Sequence, residues 1–346
     1  MNSESAIYIA GHTGLVGSSI ARNLEKKGYR NILTRSHENL DLTSQEQTRA
    51  FFAEHRIEYV FFAAAKVGGI LANSEQQGDF IYENLIMATN VLHATKEFGV
   101  VKLLNLGSSC IYPRQSPQPI KEEYLLTGPL EPTNEGYAVA KIAALKMCRY
   151  FNEQYGTNFL SVMPTNLYGP GDSYDLKHSH VLPGLIRKFH LGKLLQSGDQ
   201  EAVLNDLNCD KNRKIQTFSE GLEYLNRHGI TKGTVTLWGS GLPRREFLYV
   251  DDLAEACVLL MEQYDAKDIG EVINIGSESD IAIRELAEYI RTCIGYHGSL
   301  AWDGTKPDGM PRKLLDISKI HALGWKPKID IQEGIAHSYS HYICSR

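Results

Sequence analysis

Residues Ala6-Ile-Tyr-Ile-Ala-Gly-His-Thr-Gly-Leu-Val-Gly17 decide the fold of this chain. An apolar run ends at Gly11, two further glycines follow at Gly14 and Gly17, and Ser18 to about Lys27 has the pattern of a helix. In such a strand–turn–helix the first glycine permits a tight turn, the second admits a pyrophosphate and the third allows close helix packing. The helix N-terminus then presents free N–H groups to the phosphates. The stretch predicts a dinucleotide-binding domain, although its G-x-x-G-x-x-G spacing differs from the standard G-x-G-x-x-G.

Further apolar runs indicate a parallel sheet that is covered on both faces. The run Tyr59 to Ala65 lacks polar alternation, which is typical of a strand buried on both sides. Similar short runs follow at 103–106, 160–163 and 272–276, and helices are predicted over about 79–98 and 137–155. We therefore expect an α/β fold with a doubly wound parallel (Rossmann) sheet. Residues 1–170 and 246–277 would form it, and residues 171–245 and 278–346 a smaller α/β substrate-binding domain.

Composition excludes several classes of protein. The chain has 346 residues, 42% hydrophobic and 22% charged, which is ordinary for a globular protein. The net charge of −5 argues against a nucleic-acid partner. Six scattered cysteines with no C-x-x-C pair give no reason to expect a metal site or disulfides, and they fit a cytoplasmic location. We see no signal peptide and no apolar run of membrane-spanning length.

A second motif contains the candidate catalytic residues. The strand at 103–106 ends on Gly107-Ser108, and Tyr137-x-x-x-Lys141 begins a predicted helix, so its two side chains share one helical face. Tyr-x-x-x-Lys is common by chance, and its weight comes from the dinucleotide motif that accompanies it. A nearby ammonium would lower the pKa of the phenol, and Ser108 could hold a carbonyl oxygen against it. The set predicts proton transfer during ketone reduction or alcohol oxidation.

The end of the second strand bears on the cofactor. Arg35 and Ser36 stand there, where an NAD enzyme often has an acidic residue for the ribose hydroxyls. A guanidinium and a hydroxyl suit a 2′-phosphate, which favours NADP(H) over NAD, unless Arg35 is only a solvated loop charge. Asp41-Leu42 follow where the adenine could lie against the chain.

These motifs resemble those of the extended short-chain dehydrogenase/reductases. Other runs resemble a branch of that family, the 3,5-epimerase/4-reductases that convert GDP-4-keto-6-deoxy-D-mannose to GDP-L-fucose, and the resemblance covers nearly the whole chain. The runs are Ala63-Ala-Ala-Lys-Val-Gly-Gly-Ile70, Gly107-Ser-Ser-Cys-Ile-Tyr-Pro113, Glu131-Pro-Thr-Asn134, Pro164-Thr-Asn-Leu-Tyr-Gly-Pro170, Arg245-Glu-Phe-Leu248 and Lys306-Pro-Asp-Gly309.

The resemblance implies both a catalytic set and binding residues. Cys110 and His180 would be the acid/base pair for inversion at C3 and C5, although His178 stands close enough to take the place of His180. The catalytic residues would be Ser108, Cys110, Tyr137, Lys141 and His180. The GDP-sugar contacts would be Ser109, Asn166, Lys188, Trp238, Arg245 and Asp308. The NADP(H) contacts would be Gly11, His12, Thr13, Gly14, Leu15, Val16, Gly17, Arg35, Asp41, Leu42, Ala64, Ala65, Leu106, Gly107, Lys141, Pro164, Thr165, Asn166, Leu167 and His180.

The resemblance also implies a homodimer, formed through the helices near 79–98 and 137–155. Two departures from the family pattern keep alternatives open. Thr13 stands where the family often has an arginine, which removes one partner for the 2′-phosphate. The segment from about 193 to 233 is longer than usual and predicts two short helices, about 197–207 and 218–228. It could cover the sugar pocket, extend a subunit contact or have no catalytic role.

Four functions therefore compete. The first is the complete epimerase/reductase. The second is an epimerase or 4-reductase for a related GDP-4-keto-6-deoxy sugar such as a heptose. The third is a non-catalytic nucleotide sensor, against which Tyr137 and Lys141 argue. The fourth is a UDP-sugar 4-epimerase, which would hold NAD permanently and would not need Cys110.

Overall fold

The computed structural model describes residues 1–210, 214–306 and 308–345, without the side chains of Ile70 and Leu71. Short 3-10 helices cover Ser109–Ile111, Glu122–Tyr124 and Pro132–Asn134. The other elements in chain order are β1 (Ile7–Ala10), α1 (Leu15–Lys26), β2 (Ile32–Leu33), α2 (Gln45–Glu54), β3 (Tyr59–Phe62), α3 (Ile70–Glu75), α4 (Gln77–Glu97), β4 (Lys102–Leu106), α5 (Glu135–Tyr155), β5 (Phe159–Pro164), β6 (Asn166–Tyr168), α6 (Val181–Ser197), α7 (Gln200–Asn208), α8 (Phe218–Arg227), β7 (Thr234–Trp238), β8 (Arg244–Tyr249), α9 (Val250–Gln263), α10 (Ala266–Ile269), β9 (Ile273–Ile275), β10 (Asp280–Ala282), α11 (Ile283–Ile294), β11 (Ser299–Asp303), β12 (Arg312–Lys313), α12 (Ser318–Ala322) and α13 (Ile331–Cys344).

The chain divides into two compact units. The first comprises Met1–Leu167, Glu246–Ser279 and Leu314–Ile329, and the second comprises Tyr168–Arg245, Asp280–Lys313 and Asp330–Arg346. The division differs in one segment from the sequence expectation, which placed all of 278–346 in the substrate domain. Residues 314–329 belong to the first unit because their apolar side chains are part of its core: Leu315, Ile317, Ile320 and Trp325.

The first unit contains the expected parallel sheet. Its six strands lie in the order β2-β1-β3-β4-β5-β9, and all neighbouring pairs are parallel. Side chains of β1 alternate between two apolar clusters: Ile7 and Ile9 face one, and Tyr8 and Ala10 face the other. Both clusters also contain helix residues, so helices cover both faces. The doubly wound fold is confirmed.

The second unit is built around short strands and helices. Strands β7 and β11 pair in parallel, and the first residues of β8 pair in parallel with β12. Helix α6 packs against α7 and α11, and α7 packs against α8. Helices α7 and α8 fall where the long segment predicts them. Residues 211–213 of that segment, and Pro307 of the run Lys306-Pro-Asp-Gly309, lie outside the described residues.

Element ends moved by a few residues from the sequence expectations. Helix α1 begins at Leu15 rather than Ser18, and the short helix α3, which follows Gly69, was not among the predicted helices. Among the described helices, none is both long and apolar enough to cross a membrane.

Candidate active site

The glycine turn between β1 and α1 tolerates no side chain at two of its positions. Gly11 has φ +84°, and a Cβ there would lie 2.7 Å from the backbone nitrogen of Ala64. A Cβ on Gly17 would lie 2.2 Å from the carbonyl oxygen of Gly11. The turn is closed by a hydrogen bond of 3.1 Å from Gly14 N to Gly11 O. Gly17 therefore packs against the turn itself, which brings the helix N-terminus over the end of β1.

This turn leaves donors for an anion. Gly14 is the N-cap of α1 and makes no side-chain capping bond, so the first N–H groups of the helix, at Leu15 and Val16, have no intrahelical acceptor. Within the described chain, the buried Nδ1 of His12 also has no hydrogen-bond partner. Thr13 is exposed. A dinucleotide pyrophosphate fits these free donors and the positive end of the helix dipole.

Arg35 is held at the end of β2 by local contacts. Its NH1 donates to Thr34 O at 2.8 Å, and its guanidinium lies 5.5 Å from the centre of the Phe51 ring. The residue is otherwise exposed, so the guanidinium is placed where an anion can reach it. The Asp41 carboxylate accepts bonds from both the amide and the hydroxyl of Thr43, which lower its pKa.

Lys141 and Ser108 are fixed at the carboxyl end of β4. Lys141 Nζ donates to Leu106 O at 2.8 Å, which joins α5 to the strand. Ser108 Oγ accepts a bond of 3.4 Å from Cys110 N, so the serine caps the 3-10 helix that contains the buried Ser109 and Cys110. A Cβ on Gly107 would lie 2.1 Å from Met163 Cε, so the strand end is tightly packed.

Tyr137 is enclosed by apolar neighbours. The Phe80 ring lies edge-on to it with centroids 6.3 Å apart, and Lys141 Nζ is 5.7 Å from the centre of the tyrosine ring. Burial, and to a smaller degree Cys110, raises the pKa of Tyr137, and burial lowers the pKa of Lys141 to about 8. The expectation of a lowered tyrosine pKa is therefore wrong, because desolvation outweighs the ammonium. Tyr137 is a neutral phenol that can donate a proton.

Cys110 belongs to the same cluster. Its charge contributes to the pKa of both Tyr137 and Lys141, raising each of them. The thiol is buried, as are those of Cys148 and Cys257, but burial raises the pKa of Cys148 to about 12 and that of Cys257 further. These two cysteines are inert core residues. Cys209, Cys293 and Cys344 are exposed.

Strand β8 contains a buried charge that the sequence did not predict, and this residue binds the chain that follows β5. Glu246 is fully buried, and its carboxylate accepts bonds from the backbone N–H groups of Ser277 at 2.6 Å and Leu315 at 3.0 Å. Its carbonyl accepts from Asn166 Nδ2 at 2.8 Å and Thr165 Oγ1 at 3.3 Å. Burial raises the pKa of Glu246. The sequence feature that could have indicated a buried charge is the position of Glu246 directly before the strand-like run Phe247-Leu-Tyr249.

The two candidate histidines of the second unit, His178 and His180, have different surroundings. His178 Nδ1 lies 2.9 Å from Asp175 Oδ1, so its imidazole is engaged by a carboxylate. His180 is the N-cap of α6, and its side chain makes no capping bond to that helix. Desolvation lowers the pKa of His180, and the positive end of the helix dipole acts in the same direction.

The predicted GDP-sugar residues of this unit differ in their surroundings. Lys188 Nζ donates to two backbone carbonyls, and burial lowers its pKa to about 8. Trp238 is exposed at the end of β7, and Lys306 Nζ lies 5.5 Å from the centre of its ring. Asp308 accepts from Ser240 N at 2.9 Å and from Ser240 Oγ, and these bonds lower its pKa, with a smaller effect of Arg245. Asp308 thus holds the loop that follows Trp238.

The structure brings one part of the predicted set together. Ser108, Cys110, Tyr137 and Lys141 meet at the end of β4 in the first unit. The second unit contains His180, Lys188, Trp238, Arg245 and Asp308. Because a glycine turn and a Tyr–Lys pair share one sheet edge, the fold and the site define a nicotinamide-dependent enzyme.

The chain belongs to the NAD dependent epimerase/dehydratase family, whose model matches residues 7–210 and 212–276. GDP-L-fucose synthase 1 of Arabidopsis thaliana is 47% identical over 350 residues, covering 100% of this chain and 97% of the relative. A GDP-6-OMe-4-keto-L-xylo-heptose reductase from C. jejuni is 41% identical, with a TM-score of 0.96 over 100% of this chain and 99% of that one. A GDP-mannoheptose C4 reductase from Campylobacter jejuni with NADP bound is 42% identical, with a TM-score of 0.88 over 99% of each chain.

Proposed function

We propose that this protein epimerises GDP-4-keto-6-deoxy-D-mannose at C3 and C5 and reduces it at C4 with NADPH, giving GDP-L-fucose. The observation that carries the proposal is the position of Cys110, close enough to Tyr137 and Lys141 for its charge to alter both pKa values. A reductase alone needs the tyrosine and lysine. A buried thiol beside them supplies the additional base that epimerisation requires.

Epimerisation follows from the acidity of the substrate. The C4 ketone acidifies the protons on C3 and C5, and removal of either leaves negative charge on the C4 oxygen. Cys110 removes the proton at each carbon, and His180 delivers a proton to the opposite face, which inverts the centre. Ser108 and Tyr137 donate hydrogen bonds to the C4 oxygen while it carries charge. The complete set of acid, base and donors favours both steps over reduction alone.

Reduction uses the same phenol as an acid. A bound nicotinamide would supply the hydride for C4. Tyr137 gives its proton to the C4 oxygen, a role that suits a phenol whose pKa is held above its ordinary value. Lys141, fixed to Leu106 O, keeps a positive charge beside the phenol below about pH 8.

The cofactor in this proposal is NADP(H). Arg35 supports it, since the guanidinium stands exposed at the end of β2 without an acid on that strand end. The NADP of the C. jejuni C4 reductase supports it as well. The GDP-sugar contacts in the proposal are Ser109, Asn166, Lys188, Trp238, Arg245 and Asp308. A diphosphate suits Lys188 and Arg245, and a purine suits the exposed Trp238 ring.

We also propose a cytoplasmic homodimer. Helices α4 and α5 pack together and expose large apolar side chains, among them Tyr82, Val139 and Tyr150. Such an unpartnered apolar surface suits a second copy of the chain. In the part of the chain that the structure describes, none of the six cysteines forms a disulfide, which agrees with a reducing compartment.

A GDP-4-keto-6-deoxy-heptose is the second candidate substrate. The observation that favours it is the TM-score of 0.96 with the heptose reductase, which extends over the whole of this chain, including the long segment in the second unit. The greater identity to the plant fucose synthase favours the mannose derivative.

The test is incubation with GDP-4-keto-6-deoxy-D-mannose, or with its heptose counterpart, in deuterated water with and without NADPH. Mass and NMR spectra should show deuterium at C3 and C5 without NADPH, and GDP-L-fucose with it. Absence of deuterium at both carbons overturns the epimerase half. Exchange without NADPH oxidation overturns the reductase half, and turnover of the heptose compound alone transfers the function to that substrate.

A further inference from the structure

The ammonium of Lys188 is held by two backbone carbonyls of the second unit. Lys188 lies on α6, and its Nζ donates to His228 O at 2.8 Å and to Thr236 O at 3.2 Å. His228 is the C-cap of α8. The last carbonyls of a helix have no intrahelical donor and carry the negative end of the helix dipole, so a cation there is favourable. The end of α8, within the long segment, therefore contacts Lys188, a proposed substrate-binding residue.

The start of that segment is anchored to the same part of α6. Arg187 is fully buried, with Nε 2.9 Å from Asp206 Oδ1 and NH1 2.8 Å from Asp210 Oδ2. Asp206 lies on α7, and it also accepts a hydrogen bond from Tyr342 of α13. Two consecutive residues of α6 thus hold α7 and the end of α8. Helices α7 and α8 of the segment are therefore fixed parts of the second unit.

The chain after α8 is aligned with β7. Thr236 N donates to Gly229 O at 2.7 Å, and Ile230 forms an antiparallel bridge with Val235. Gly229 has φ +73°, and a Cβ there would lie 2.8 Å from Thr236 O. Both carbonyls that hold Lys188 therefore belong to one compact junction, and Gly229 sets its spacing.

The ammonium retains capacity for an anion. A lysine has three N–H donors, and the two carbonyls use two of them. Within the described residues Lys188 forms no ion pair, and its two hydrogen bonds go to neutral backbone carbonyls. A half-buried cation with one free donor and no counter-ion is suited to a phosphate oxygen.

We propose that the junction of α8 with β7 positions Lys188, so that its third N–H faces the diphosphate of the bound nucleotide. The proposal rests on the GDP-sugar function proposed above. It makes the long segment a determinant of substrate affinity, and His228 and Thr236 positioning residues that act through their carbonyls. The segment thereby has a role other than covering the sugar pocket.

The test compares two glycines with the same backbone requirement. Gly229→Ala pushes a Cβ against Thr236 O, whereas Gly198→Ala at the end of α6 has φ +75° and nothing within 4 Å of its Cβ. Both carry the strain of a left-handed alanine, and only the first disturbs the junction. Calorimetry with GDP should show affinity lowered roughly tenfold by Gly229→Ala, the scale of one hydrogen bond to a charged group, and little changed by Gly198→Ala.

A double-mutant comparison separates positioning from general damage. In a Lys188→Met background, Gly229→Ala should cause no further loss of GDP affinity, while thermal unfolding reports its structural cost. Equal GDP affinities for Gly229→Ala and Gly198→Ala overturn the positioning role and leave the proposed function intact. The same loss from Gly229→Ala with and without Lys188 also overturns it. Absence of GDP binding to the unmodified chain overturns both proposals.

Discussion

Lys141 Nζ donates a hydrogen bond of 2.8 Å to the carbonyl oxygen of Leu106, which ties α5 to the end of β4. The same helix carries Tyr137, so this bond fixes the phenol relative to Ser108 and Cys110 on the strand's continuation. Burial keeps the tyrosine protonated and weakens the basicity that the lysine would have in water. The site is therefore a proton-donating one with a cation that can be titrated.

Cys110→Ser should slow proton exchange and leave reduction largely intact. A serine hydroxyl is a far weaker base than a thiol, and loss of a general base costs roughly 10²- to 10⁴-fold. Deuterium incorporation at C3 and C5 measures exchange, and NADPH oxidation with a C3/C5-inverted 4-keto substrate measures reduction. The matched control is Cys209→Ser, an exposed cysteine of the second unit. Unchanged exchange in Cys110→Ser would remove the thiol from the mechanism.

Reduction should become slower as pH rises through about 8. Below that pH Lys141 is protonated and its charge stabilises negative charge on the phenol oxygen; above it the charge is lost. Tyr137 does not contribute to this decline of the reduction rate, because its pKa is raised. The measurement is kcat for reduction between pH 6 and 10.

The control for this prediction is Lys141→Arg. A guanidinium stays protonated throughout this range, so the variant should be slower but should lose the alkaline decline. A decline that persists unchanged in Lys141→Arg would assign the titration to another group.

GDP affinity should also fall above about pH 8, through a different lysine. Lys188 binds an anion only when protonated, and its pKa is lowered to about 8 by burial. Lys188→Met should raise the KM for the GDP-sugar roughly 10- to 100-fold, the scale of a charged hydrogen bond, with kcat little changed. Lys193→Met is the control, because Lys193 lies on the same helix and donates to Ile294 O at 2.8 Å. Equal effects of the two substitutions would contradict the assignment.

The main features of the fold were predictable because they depend on local patterns. The strand Ile7–Ala10 and the turn Gly11–Gly17 are specified by apolar runs and glycine spacing, which need no knowledge of distant residues. The segment Leu314–Ile329 was assigned to the wrong unit, because its place depends on contacts with Ile120 across the chain. Sequence order does not contain that information.

The residues of the candidate site were predictable from the sequence, but their pKa values were less so. Tyr137 and Lys141 were identified from their spacing, but the direction of the tyrosine pKa depends on how completely tertiary packing removes water. Glu246 and Arg187 were missed as buried charges for the same reason. Their partners are backbone N–H groups and carboxylates that come from distant segments or from the long segment after α6.

Gly11→Ala should weaken NADPH binding much more than Gly28→Ala. Both glycines have positive φ, +84° and +88°, so both substitutions carry similar backbone strain. Only at Gly11 does the added Cβ meet the backbone, at 2.7 Å from Ala64 N, whereas Gly28 has open space. Fluorescence titration with NADPH measures the affinity, and thermal unfolding of both variants measures the shared strain. Similar affinities would show that the turn is not at the cofactor.

Arg187→Met should destabilise the protein by about 3–5 kcal/mol, since it removes the guanidinium from a buried ion pair with Asp206. Asp206 would lose its ion pair with the guanidinium but keep its hydrogen bond from the Tyr342 hydroxyl, and Asp210 would lose the NH1 contact. The control is Arg149→Met, which breaks an exposed pair with Glu153 and should change stability little. Urea unfolding gives the free energy of unfolding for each. Because this network anchors α7 beside Lys188, the variant should also lower GDP affinity while NADPH affinity is retained; a loss confined to stability would show that Arg187 has no part in substrate binding.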